Sequence, residues 1–300
     1  MAQGKTLGFI GLGLMGNPMT ARLLKAGFSV NVWVRDSKKA KTATEAGAKL
    51  CVTIDELVQH SDILMLCVSD TAAVESVIEG PQGVLEAIKN NDKASLSLII
   101  DFSSISPQAT TRLARSTGDC GVKWIDSPVS GGVAGAESGS LAVMCGGDKS
   151  EIESLSPIYA VLAKNVTHVG DVGSGQVTKI ANQMLVSCNV MVMAEVFALA
   201  EKAGVDATQI PLALKGGFAD SLPLQLTGPR MAEQDFEEVK WHVKTLLKDL
   251  DMANDLAFRE GSSVPMTGLA AELMRLHANK GYLDADPSTL VLQYATSLDK

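Results

Sequence analysis

A short apolar run, Leu7-Gly8-Phe9-Ile10, passes without a break into Gly11-Leu12-Gly13-Leu14-Met15-Gly16 and then into the helix-forming stretch 17–26. That order admits few folds. A strand ending in glycines at this spacing, followed at once by a helix, brings the helix N-terminus against the strand end. Gly11 permits the tight turn, Gly13 lets the backbone approach a pyrophosphate, and Gly16 allows close helix–strand packing. The free N–H groups of the first helical turn then face the anion. Glycine-rich turns also arise for purely structural reasons. Here the strand before, the helix after and the place near the N-terminus agree, and a dinucleotide is the ligand such a loop fits.

The rest of the first half repeats the theme. Apolar runs at 7–10, 30–34, 63–68, 98–101 and 124–126 are short and bounded by Gly, Asp or Ser, with helical segments such as 17–26 and 72–78 between them. This alternation predicts an α/β fold, a doubly wound parallel sheet with helices on both faces. Runs at 141–145 and 166–169 extend the sheet, and their shorter connections suit antiparallel additions. The second half changes character. Residues 175–203 form an unbroken helical pattern on the order of 40 Å long, apolar around much of its circumference. Such a helix is expected to be buried on most sides, within a bundle or between domains. Helices at 206–214, 238–259 and 266–280 follow, and segments 170–175 and 216–229, rich in Gly, Ser and Pro, read as loops. The expectation is therefore an N-terminal sheet domain, residues 1–165, joined by the long helix to an all-α C-terminal domain, residues 166–300.

Composition narrows the function. A net charge of −8 argues against nucleic acid, since reading phosphates needs clustered Lys and Arg. The five cysteines are scattered and odd in number, which suits reduced thiols in the cytoplasm. Neither they nor the four histidines show metal-ligand spacing, so no metal is expected. Neither a signal peptide nor a membrane span of roughly 20 apolar residues is expected from the sequence.

Three further constellations carry chemistry. The second strand ends at Val34, where a carboxylate for a ribose diol would stand, and Arg35 follows with Lys38 and Lys39 close by. A guanidinium there suits a 2′-phosphate, so NADP is favoured over NAD, although Asp36 offers a carboxylate one residue later. A solvated surface arginine is the competing reading. Past the 124–126 strand, Ser130-Gly131-Gly132 combines a hydroxyl with two flexible N–H groups, a nest suited to a carboxylate. Finally, Lys179 lies one turn into the long helix, with Asn182 and Gln183 at i+3 and i+4 on its face. Burial would lower the pKa of such a lysine towards the range useful for proton transfer. A lone helical lysine is more often solvated, and spacing does not decide between the two.

In this order the four pieces resemble the β-hydroxyacid dehydrogenase family, which includes 3-hydroxyisobutyrate dehydrogenase and tartronate semialdehyde (2-hydroxy-3-oxopropionate) reductase. The resemblance spans nearly the whole chain: residues 8–19, the segment 126–132, the segment 173–183 and Lys248-Asp249-Leu250. It implies a Rossmann domain, a helical domain and a substrate cleft between them. It makes Lys179 the acid/base, gives Ser130, Gly131 and Gly132 the substrate carboxylate, and lets Asn182 and Gln183 orient the substrate. It also places Lys248 by the nicotinamide, and Ser104 and the loop Val68-Ser69 against the cofactor. The sequence departs from the family pattern at Ser69-Asp70, where Pro-Asn is common, and at Ser127, where Ala is frequent. The implied partner is a small hydroxy acid or semialdehyde, and the implied assembly is a homodimer or homotetramer. Two alternatives stand beside this reading: a reductase of longer semialdehydes such as succinic semialdehyde, and a non-catalytic NADP(H) sensor. Imine reductases share the two-domain plan but usually lack a lysine at the catalytic position.

Overall fold

The computed structural model describes residues 4–91 and 94–294 of the chain. They fall into two compact units, 1–179 and 180–300.

The first unit is built on a sheet. Its strands are β1 (Thr6–Ile10), β2 (Ser29–Trp33), β3 (Lys49–Leu50), β4 (Ile63–Leu66), β5 (Leu98–Asp101), β6 (Lys123–Asp126), β7 (Val129–Ser130), β8 (Leu141–Gly146) and β9 (Ala163–Gly170). The order is β3-β2-β1-β4-β5-β6-β8-β7, with β9 paired to β8. From β3 through β6 every pairing is parallel, while β8 runs antiparallel to β6 and β7. The chain winds outward from β1 in both directions, so β1 and β4 flank the point where the winding reverses. In an open α/β sheet, ligands gather there at the carboxyl ends of the strands.

Near-continuous apolar runs become strands here because both faces are covered. Side chains alternate between the faces. Leu7, Phe9, Val32, Ile63, Met65 and Ile100 enter one core, and Ile10, Leu64, Leu66 and Ile99 enter the other. The division at 165/166 expected from the sequence falls inside β9, which pairs in parallel with β8. The expected strand 63–68 stops at Leu66. Beyond it, the Val68 N–H leaves the sheet ladder and donates to Ser103 Oγ at 3.0 Å.

The second unit is helical. The long helix, Ser174–Lys202, supplies Val190, Met193, Ala194 and Phe197 to its core, against Leu246 and Leu250 of helix Val243–Arg259 and Met274 of helix Pro265–His277. Four expectations need correction. Segment 216–229 is not wholly loop, because helix Leu222–Glu233 forms in spite of Pro229 within it. Ser221 Oγ caps that helix by accepting from Leu224 N–H at 3.1 Å, and Gly228 packs so close to Phe197 that an added Cβ would lie 2.9 Å from the ring. Tertiary packing there outweighs poor helix composition. The expected helix 238–259 begins only at Val243. Before it, the Lys240 N–H donates to buried Asp286, which also pairs with Arg230 at 2.7 Å. The long helix is not buried on most sides within the chain, since Leu185, Val192, Val196 and Leu199 lie along one exposed stripe. By length and composition it is also apolar enough to cross a membrane, contrary to expectation, although much of its apolar surface is packed in the unit's core.

Candidate active site

The expected glycine loop sits at the carboxyl end of β1. Gly11 adopts φ +105°, and a Cβ there would lie 2.1 Å from Cys67 O. Gly16 opens helix Gly16–Lys25, and a Cβ on it would lie 1.9 Å from Gly11 O. Gly13 differs: it is exposed, and an added Cβ would meet nothing within 4 Å. Leu12 is buried while Leu14 is exposed, and Asn17 Nδ2 holds the loop by donating to Leu12 O at 2.9 Å. No side chain caps the helix and no acidic residue lies in its first turn, so its positive end is left for an anion. Tight packing at two glycines and open space at the third is the shape a dinucleotide phosphate cradle requires, and the residues present fit one.

Around this loop, β2 ends at Trp33, with Val34 next and Arg35 exposed beyond it. Asp36, the alternative partner for a ribose diol, caps the turn Ser37–Ala40 by accepting from Lys38 N–H at 3.1 Å. Ser69 Oγ donates to Asp70 Oδ2 at 2.7 Å, and Asp70 Oδ1 accepts from Ala73 N–H to cap helix Thr71–Glu79. The departure at Ser69-Asp70 thus supplies a helix cap. Ser104 lies half-buried in the loop after β5. Ser130 ends β7, and the chain then turns through Gly131 at φ +131° and Gly132 at φ +63°. The Ser127 hydroxyl meets Tyr159 OH at 2.7 Å in the interior.

Lys179 is buried, at 9% exposure. The turn of helix that precedes it is bonded to the sheet. Asp126, at the end of β6, accepts from Gly173 N–H at 2.7 Å and from Gln176 N–H at 3.0 Å. The Gln176 side chain accepts from Ile105 N–H at 3.1 Å and donates to Ser103 O at 2.8 Å, bracketing Ser104. Sequence reasoning singled out neither role. The available signal was that Gln176 stands at i−3 from Lys179, on the same face.

The second unit holds Asn182, Gln183 and Lys248, brought together by a residue not proposed for the site, the buried Asp249. Asn182 Nδ2 donates to Gln183 Oε1 at 2.8 Å, Gln183 Nε2 donates to Asp249 Oδ2 at 2.5 Å, and Lys248 Nζ lies 3.2 Å from Asp249 Oδ1.

Two buried carboxylates face each other in register at the ends of β5 and β6, Asp101 and Asp126. Burial pushes the Asp126 carboxyl up to about 6, against the N–H groups that favour its ionised form. Burial likewise pushes Asp101 up to about 7; its Oδ1 accepts from Ser103 N–H, while among the described residues its Oδ2 meets no donor. The unfolded chain releases the Asp101 proton near 3.8 and the folded chain near 7. The native state therefore binds more protons between those values, and stability is expected to fall as pH rises from about 4 to about 7 and then to level off. Asp101→Asn should flatten much of that slope, worth on the order of 4 kcal/mol at about 1.4 kcal/mol per pKa unit. Urea titrations at pH 5 and pH 8 check this, and an unchanged difference between the two pH values would contradict it.

Among the described residues, no cluster of His, Cys, Asp or Glu could hold a metal, and the five cysteines are free.

Residues 6–170 match the model of the NAD binding domain of 6-phosphogluconate dehydrogenase. Residues 173–294 match that of the NAD-binding domain of NADP-dependent 3-hydroxyisobutyrate dehydrogenase. The 2-hydroxy-3-oxopropionate reductase of Escherichia coli K12 is 38% identical over 287 residues, 95% of each chain. Among solved structures, 3-hydroxyisobutyrate dehydrogenase of Mycobacterium tuberculosis with L-serine superposes with a TM-score of 0.86 at 28% identity, covering 97% of this chain and 99% of that one. Psf3 in complex with NADP+ and 2-OPP superposes with a TM-score of 0.84 at 25% identity, covering 96% and 100%.

Proposed function

Because the chain belongs to the 3-hydroxyisobutyrate dehydrogenase family of NAD(P)-dependent oxidoreductases acting on CH–OH donors, we propose that it interconverts a small 3-hydroxy acid and its semialdehyde, of the 3-hydroxyisobutyrate or 2-hydroxy-3-oxopropionate type, with NADP(H) as the favoured cofactor. The observation that carries this reading is the burial of Lys179, 9% exposed, on a helix whose first turn is bonded to the carboxyl ends of the strands. A sensor has no need of a buried proton carrier there.

The glycine loop 11–16 holds the pyrophosphate, and Val68, Ser69 and Ser104 line the cofactor. When bound, the nicotinamide supplies or accepts the hydride. Ser130 and the N–H groups of Gly131 and Gly132 hold the substrate carboxylate, fixing the carbon that reacts. Lys179, as ammonium, donates a proton to the carbonyl oxygen during reduction. As the neutral amine it takes the hydroxyl proton during oxidation. The roles assigned to Asn182 and Gln183 are with the substrate, and that of Lys248 is with the cofactor.

Steady-state kinetics tests this, with 3-hydroxyisobutyrate, 2-hydroxy-3-oxopropionate, L-serine and succinic semialdehyde, each with both cofactors. Turnover confined to substrates that react at C3, namely 3-hydroxyisobutyrate, 2-hydroxy-3-oxopropionate or L-serine, supports the proposal. Preference for succinic semialdehyde would favour the longer-chain reductase, and tight cofactor binding without turnover would favour the sensor. The cofactor preference rests on Arg35. Arg35→Ala is expected to raise the KM for NADPH about tenfold to a hundredfold, the worth of a charge-assisted bidentate contact, and to leave that for NADH nearly unchanged. Equal effects on the two cofactors would exclude a 2′-phosphate contact.

The assembly proposed is a homodimer or homotetramer, supported by the apolar stripe Leu185, Val192, Val196 and Leu199. The net charge of −8 supports the absence of a nucleic-acid partner, and the scattered, unpaired cysteines support the proposal of a cytoplasmic location.

A further inference from the structure

We propose that Asp126 and Gln176 are positioning residues for proton transfer: together they bolt the first turn of the long helix to the sheet and so set where the Lys179 amine stands. The inference rests on the reading of Lys179 as the acid/base.

The carboxylate of Asp126 is fully buried at the carboxyl end of β6 and reaches across 47 residues of sequence to Gly173 and 50 to Gln176. The nearby backbone N–H of Gly175 also favours the ionised carboxylate. The chain is shaped to admit this group. A Cβ on Gly146 would lie 2.6 Å from Asp126 Oδ1; one on Gly175 would lie 2.7 Å from Oδ2 and 2.4 Å from Met144 O. Any side chain at either glycine would push the helix away from the strand.

Gln176 is 1% exposed and fixes the same turn to a second point. Its amide closes two bonds with the loop after β5, one on each side of Ser104, the residue proposed to touch the cofactor. One further helical turn separates Gln176 from Lys179, a rigid rise of about 4.5 Å. The cofactor-contacting loop, the end of β6 and the proton-bearing amine therefore share one anchor. A capping role alone requires neither the Gln176 amide nor its grip on the Ser103–Ile105 backbone. A misplacement of about 1 Å of a catalytic group costs on the order of a hundredfold in rate, and this anchor prevents it.

The test compares Asp126→Asn, Gln176→Met and Lys179→Ala in the full-length protein, with the best substrate of the panel. Cofactor-binding sites are counted by fluorescence titration with reduced nicotinamide, and kcat is expressed per site. For Asp126→Asn and Gln176→Met, kcat per site is expected to fall at least tenfold while the KM for substrate stays within threefold. A merely structural cap would lower the number of competent sites and the melting temperature, and leave kcat per site unchanged. If Asp126→Asn fails to fold, Gln176→Met carries the test, since it keeps the Asp126 cap and removes only the amide bonds. A kcat per site within twofold of wild type in the folded variant, with Lys179→Ala inactive, overturns the positioning role alone. Near-wild-type turnover by Lys179→Ala overturns the acid/base reading and this inference with it.

Discussion

Lys179→Ala is expected to lower kcat by about a hundredfold to ten-thousandfold, the usual contribution of a positioned general acid or base, while the dissociation constant for the cofactor changes little. In free energy this is about 3 to 5.5 kcal/mol of transition-state stabilisation. The separation of the two effects follows from placement. The glycine loop proposed to hold the phosphates lies at the end of β1, whereas Lys179 is the sixth residue of helix Ser174–Lys202. Truncation removes the amine but none of the backbone proposed to contact the dinucleotide. It also leaves a small buried space, since Lys179 is only 9% exposed. A primary amine of the size of methylamine fits such a space, and added methylamine should restore part of the lost rate in proportion to its concentration. Stopped-flow and steady-state kinetics on the variant, with and without the amine, provide the check. A variant that keeps wild-type turnover would remove Lys179 from the chemistry.

What the residues disclosed unaided depended on the range of the interactions involved. The glycine loop was legible because its geometry is local: the turn, the close approach and the helix start all lie within residues 11–16, and spacing alone dictates them. The parallel sheet was legible because strands buried on both faces read as short apolar runs. Lys49–Leu50, two residues long, carries too little pattern to be seen as a strand, yet it forms the sheet edge beside β2. The burial of Lys179 was not legible, because the face a helix presents to the protein depends on what holds it. Here that is Asp126, some 50 residues earlier, and the Ser103–Ile105 backbone, more than 70 residues away. Ser127 is a similar case, since its hydroxyl is harmless in the interior only because Tyr159 meets it. Segment 216–229 reads as loop from its Pro, Gly and Ser content, yet helix Leu222–Glu233 stands because Leu224, Thr227, Gly228 and Met231 are buried.

Two glycines of the loop are expected to fail in opposite ways when a methyl group is added. In Gly16→Ala the new Cβ falls 1.9 Å from Gly11 O and 3.0 Å from the Phe9 ring. Both are fixed parts of the β1 end, so helix and strand must separate, and the protein should lose stability whether or not cofactor is present. Overpacking of this kind costs about 1–3 kcal/mol. In Gly13→Ala the Cβ meets no protein atom within 4 Å, so the unliganded melting temperature should stay within about a degree of wild type. The methyl instead occupies the space through which the pyrophosphate approaches the backbone. Cofactor affinity is then expected to fall about a hundredfold, which removes about 2.7 kcal/mol of the stabilisation that cofactor confers at saturating concentration. Thermal melts of both variants with and without cofactor separate the outcomes: Gly16→Ala shifts the unliganded curve, and Gly13→Ala shifts only the liganded one. If Gly13→Ala kept the full cofactor-induced shift, the open side of this loop would not be where the dinucleotide lies, and the cradle would have to be sought elsewhere along the carboxyl ends of β1 and β4.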